Sequence, residues 1–143
     1  MTKSMLESDT PAGFDLCNDN AMERLVGPFY KRQHVDEQGR QIYTLAARVR
    51  ETLTGASDRA HGGFILMLLD QAMGLAAHDA LNDVAFTISM HADFIGPARV
   101  DKLVKVHAHA TSTTSSFAFM SAVAEIDESI VATGSGVWRR RRP

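Results

Sequence analysis

The spacing of apolar and polar residues changes period along the chain, and each change marks an element. From Gln41 to Glu51 the period is two, with Tyr43, Leu45, Ala47 and Val49 on one side, which predicts a strand with one buried face. From Gly62 to about Leu81 the residues are apolar nearly all the way round and the run is too long for a strand, so it predicts a helix buried on most sides. Four more strands are predicted at Val84 to Ile95, Lys102 to Thr113, Ser116 to Ile126 and Ile130 to Trp138, punctuated by Gly96-Pro97 and Asp127-Glu128-Ser129. In the first of these, Val84, Phe86, Ile88, Met90 and Phe94 share the face expected to meet the core, while Thr87, Ser89, His91 and Asp93 share the other.

The beginning of the chain is less regular. Residues 1–19 are polar and interrupted by Pro11 and Gly13, which predicts a flexible arm that includes Cys17. Asn20 is placed to cap a short helix over Ala21 to Gln33, where Met22, Leu25, Val26 and Phe29 recur at helical spacing and Pro28 weakens the continuation. One strand, a long buried helix and an antiparallel meander together predict an α+β layer, a curved antiparallel sheet of about five to six strands wrapped around one central helix. No repeat or linker divides residues 20–143, which read as a single domain.

Composition adds limits more than detail. The 143 residues, 45% hydrophobic and 22% charged, suit one soluble globular unit with one core. A single cysteine excludes an internal disulfide and fits a reducing, cytoplasmic setting. No uninterrupted apolar run approaches the ~18 residues of a membrane span, and the polar start lacks the apolar core of a signal peptide, so no membrane association is expected. The net charge of -2 argues against nucleic acid as a partner, although Arg139, Arg140, Arg141 and Arg142 form a concentrated basic end.

Between Gly62 and Ala77 the only formally charged side chain is Asp70. Burying an unpaired carboxylate is costly, so Asp70 must find donors elsewhere, face a cleft, or shift its pKa toward the range of a general base. Capping of a neighbouring loop or pairing with a distant arginine would satisfy it equally well. At the start of the same helix, His61-Gly62-Gly63 offers backbone N–H groups and the positive dipole end, which can hold an anion or a developing oxyanion; the glycines also suit a tight strand-to-helix turn.

His61-Gly62-Gly63, six intervening residues and Asp70 resemble the signature of the phenylacetate-pathway (PaaI-like) type of hotdog acyl-CoA thioesterases, within the 4-hydroxybenzoyl-CoA thioesterase superfamily. The similarity continues through Thr87-Ile-Ser-Met-His-Ala-Asp-Phe-Ile-Gly-Pro-Ala98 and the meander to Trp138. The resemblance implies a hotdog fold and a homodimer, commonly paired again into a homotetramer, with sites buried between subunits. It implies acyl-CoA hydrolysis in which Asp70 acts as base or nucleophile, the Gly62 N–H polarises the carbonyl within the His61 turn, and the Thr87 hydroxyl assists. Gly63 and Phe64 would line the substrate, Phe64 shaping an acyl tunnel with Met67, Met90 and Phe94, and Arg139 and Arg140 would meet the phosphates of coenzyme A. Coenzyme A is then part of the substrate, and no cofactor is required.

One position departs from that pattern. Many relatives carry an asparagine six residues before the histidine, and this chain has Gly55 there, with Ser57 and Asp58 as nearby substitutes. A non-catalytic acyl-CoA binding protein is therefore the alternative. Cys17 lacks any local nucleophile signature, and His107 and His109 share a strand face without a recognisable third ligand, so no metal site is expected.

Overall fold

The computed structural model describes residues 9–141. In chain order the elements are β1 (Asp15–Cys17), α1 (Ala21–Val26), β2 (Phe29–Val35), β3 (Gln41–Arg48), a 3-10 turn (Glu51–Leu53), α2 (Gly62–Leu81), β4 (Ala85–Phe94), β5 (Leu103–Thr113), β6 (Phe117–Ile126) and β7 (Ser129–Arg140). The strands form one antiparallel sheet in the order β1-β2-β3-β5-β6-β7-β4, curved around α2, which is the hotdog arrangement.

Among the described residues the sheet has 7 strands, more than the five to six expected. The additions come from the N-terminal third. Cys17, placed by the sequence in a loose polar arm, sits in β1, pairs with Phe29 and is buried. Residues 1–8 of that arm lie outside the described residues. The helix expected to reach Gln33 ends at Val26, because Gly27 takes an extended conformation and Pro28 has no N–H to continue the ladder. Its supposed apolar stripe was not one: Met22 and Leu25 face solvent, and Phe29 is buried as the first residue of β2. What fixes α1 is a capping box, in which Asn20 accepts from the Glu23 backbone and Glu23 reaches back to the Asn20 backbone.

α2 is apolar and long enough to cross a bilayer by composition, and its covering is the sheet. Phe64, Leu68, Leu69, Ala72 and Met73 pack against Leu45, Val104, Val106 and Met120 from the strands. The side chain of His61 caps the start of α2, and Asn82 closes its end in the left-handed conformation at φ 50°. Burial of these side chains, each ~1.5–3 kcal/mol relative to exposure, holds the helix to the sheet.

β4 lies at the edge of the sheet with β7 as its one neighbour. A bulge between Thr87 and Ser89 breaks the strict alternation read from the sequence. Thr87 before the bulge and Met90 and Ala92 after it all turn toward α2, whereas Phe86, on the face expected to meet the core, is 56% exposed. That shift brings Thr87 to the helix.

Candidate active site

Asp70 projects from the middle of α2 toward the start of β4. The Thr87 hydroxyl donates to Asp70 Oδ1 at 2.7 Å. No lysine or arginine pairs with Asp70 among the described residues, and its Oδ2 carries no hydrogen bond there. The carboxylate opens into a cavity of about 210 Å³ whose wall includes Asn20, Gln71, Gly74, His78 and Trp138. A carboxylate with one oxygen anchored by a hydroxyl and the other free, facing a space large enough for water, is arranged to accept a proton.

The floor of this region is a buried polar knot. Glu23, 2% exposed, accepts from Gln71 Nε2 at 2.6 Å, from the Asn20 backbone at 3.1 Å, from the Asp19 backbone and from the Cys17 thiol at 3.4 Å. The knot fixes Asn20 at the cavity and Gln71 beside Asp70. Burial, and then the Glu23 charge, push the Cys17 thiol up to about 12, so this sulfur is no nucleophile near neutral pH. The ligand atoms of Cys17, Asp19 and Glu23 lie within 4.8 Å of one another, but both Glu23 oxygens are already occupied by protein donors, which fits a structural knot better than a metal centre.

The His61-Gly62-Gly63 turn is formed as a helix cap. His61 Nδ1 accepts from the Gly63 N–H at 2.9 Å, so His61 orients the turn and the Gly63 N–H is used internally. The Gly62 N–H has no acceptor among the described residues and remains available. A Cβ on Gly62 would make an ordinary contact with the Phe94 ring at 3.7 Å. His61, Gly63, Phe64 and Met67 line a second cavity of about 360 Å³, separate from that of Asp70. Eight residues of helical rise place Gly62 ~12 Å from Asp70 along the axis, so the two do not converge within one chain.

The other sequence-derived candidates fall elsewhere. Arg139 lies over the Phe117 ring at 5.8 Å on the outer face of the sheet. Arg140 is drawn to Asp83 at 3.6 Å and to the Ser115 carbonyl at 3.2 Å, and Arg141 to Asp83 at 3.4 Å; Arg142 lies outside the described residues. Phe64 is mostly core, at 6% exposed. Asp58, a suggested stand-in for the missing asparagine, is held by Arg99 at 2.7 Å, while a Cβ at Gly55 would lie 3.6 Å from the His61 ring, an ordinary contact. His107 and His109 are on the outer face, bonded to Thr44 and Glu125 and to Arg40 respectively. Sequence reasoning missed Asn20, Gln71 and Trp138 as neighbours of Asp70; the Trp138 position follows from its pairing with Thr87, which needs the register of β4 on β7.

Comparison with known proteins locates this arrangement. Residues 58–132 match the model of the thioesterase superfamily. A Pseudomonas aeruginosa protein provisionally designated an esterase is 31% identical over 133 residues, covering 91% of this chain and 96% of that protein. The phenylacetic acid degradation protein PaaI of Thermus thermophilus, in a mutant form, superposes with a TM-score of 0.74 at 21% identity, over 85% of this chain and 100% of that one. A protein of Streptococcus pneumoniae described as a hypothetical thioesterase and solved with coenzyme A gives 0.66 at 16% identity, over 70% of this chain and 78% of that one.

Proposed function

The chain belongs to the thioesterase superfamily, and on that premise we propose that it hydrolyses the thioester of an acyl-coenzyme A by carboxylate-assisted attack of water. The observation that carries the proposal is the Asp70–Thr87 pair, an uncompensated carboxylate opening into a cavity with one oxygen free. In this reading Asp70 Oδ2 takes a proton from water as the water oxygen bonds to the carbonyl carbon. The carbonyl electron pair moves onto its oxygen, which the Gly62 N–H at a helix start stabilises. Collapse of that intermediate breaks the carbon–sulfur bond, and the thiol leaves with the proton. The coenzyme A held by the Streptococcus pneumoniae protein supports this ligand class.

A second copy completes the site. Asp70 and Gly62 of one chain stand too far apart to reach one carbonyl, whereas an antiparallel partner brings its Gly62 toward the first chain's Asp70. The 10-residue β4 edge, unpaired on one side and carrying exposed Phe86, Ile88 and Phe94, supplies the surface for that pairing. A homodimer, associating further into a homotetramer, is the assembly this reading calls for. Sedimentation as a monomer would contradict it.

Gly55 favours one competing reading, a protein that binds acyl-CoA without cleaving it. A panel of short, long and aromatic acyl-CoA substrates separates the two. Thiol release that saturates with substrate supports hydrolysis, and tight binding without thiol release supports the competing reading.

A further inference from the structure

Trp138 is the one tryptophan of the chain and is 1% exposed. Its single polar side-chain atom, Nε1, has no acceptor among the described residues and is not one of the nitrogens shut away from solvent, so it is left to a partner in the cavity. Three features hold the ring where it is. Trp138 pairs across the sheet with Thr87, the residue bonded to Asp70. Gly136 makes room for the ring, since a Cβ there would fall 2.8 Å from Trp138 Cζ3. Gly74 leaves the nitrogen uncovered, since its Cβ would stand 3.6 Å from Nε1.

Gly74 follows Asp70 by one helical turn, so Trp138, lying against Gly74, and Asp70 line the same cavity of about 210 Å³ from adjacent turns of α2. A single water oxygen in that cavity has the valence to accept a hydrogen bond of ~2.8 Å from the one group and to donate one to the other. We infer that the Trp138 indole N–H binds the hydrolytic water, donating to one lone pair of its oxygen while the water donates a proton to Asp70 Oδ2. The second lone pair is left to attack the thioester carbonyl. Thr87, by occupying Oδ1, leaves Oδ2 as the oxygen that accepts the proton. This inference rests on the hydrolase reading and adds to it the group that places the nucleophile.

Two variants of the full-length protein test it, assayed with the acyl-CoA that the wild type turns over fastest. Trp138→Phe removes the N–H and keeps an aromatic ring. Gly74→Ala covers the nitrogen with a methyl group and raises helix propensity, so any loss of activity in it does not come from a weakened fold. The expected result in both is a kcat lower by about ten- to a hundredfold, with KM within about twofold of wild type and, for Gly74→Ala, an undiminished Tm. Wild-type kcat in both variants, or a loss confined to KM, overturns the inference while leaving the hydrolase reading in place. Wild-type protein that releases no thiol from any acyl-CoA overturns both.

Discussion

The two faces of the sheet each carry a hydroxyl bonded to an ionisable group, and only one of them leaves an oxygen free in front of a cavity. On the outer face, Thr44 Oγ1 meets His107 Nδ1 at 2.8 Å and His107 Nε2 meets Glu125 Oε1 at 3.0 Å, a hydroxyl–imidazole–carboxylate row resembling a hydrolytic relay. On the inner side, Thr87 and Asp70 make one simpler contact. The difference is access and unused valence. Thr44 is 1% exposed, so no substrate carbon can approach its oxygen, and the row uses its polar groups on one another. Asp70 keeps a free oxygen and a cavity in front of it. Residue types nominate a site, and an unsatisfied oxygen with room before it is the ground for proposing the inner pair over the outer one.

Substitutions on each side sharpen the contrast. Asp70→Asn removes the proton acceptor without changing shape, and kcat should fall by roughly 10²–10⁴-fold with an unchanged circular dichroism spectrum. Thr87→Val leaves Asp70 Oδ1 without its donor; a kcat reduced by about tenfold in steady-state kinetics is expected. His107→Ala should leave kcat within about twofold of wild type while lowering unfolding stability by ~1–3 kcal/mol in urea titrations, because Thr44 is buried and loses its partner. A large kcat loss in His107→Ala with an intact fold would reverse the assignment of the two faces.

The smallest effect concerns Cys17. With its thiol raised to about 12 in the folded protein from an ordinary value of 9.0, the unfolded chain ionises first as pH rises. Its contribution to stability is therefore complete below about pH 9 and is lost progressively toward pH 12. At pH 8 the native thiol should resist a disulfide-exchange reagent that labels it at once in denaturant; rapid labelling of native protein would contradict its burial.

The inner region was largely legible in the sequence. An apolar helix with one charge at its middle and glycines at its start is read from local pattern alone, and Gly62–Leu81 lies where the pattern placed it. The strands from β4 onward were legible too, because each is a run of apolar and β-branched residues set off by turn signals such as Gly96-Pro97 and Asp127-Glu128-Ser129, and β5 and β6 also alternate in burial. β2 was hidden because Lys31, Arg32, Gln33 and His34 show no alternation, and its stability comes from pairing with β3. The bulge in β4 was hidden for a related reason: one extra residue reverses which side chains face the helix, and only the register on β7 reveals it. The same register places Trp138 at the site. The meeting of Arg140 with Asp83, 57 positions away in the chain, was hidden because only the fold brings the two together.

The central claim is that Asp70 of one copy and the Gly62 amide of another act on one thioester. Gly62→Pro deletes that N–H at the first helical position, where proline is tolerated, and His61 at φ -58° and ψ 138° already has the extended conformation that a following proline requires. Thiol release should be measured for Asp70→Asn, for Gly62→Pro and for the two co-expressed. Each alone should be nearly inactive, and the mixture should recover about a quarter of wild-type activity, since half of the dimers are mixed and each holds one intact site of two. A mixture as inactive as its components, or an Asp70→Asn protein that turns over at the wild-type rate, would contradict the account.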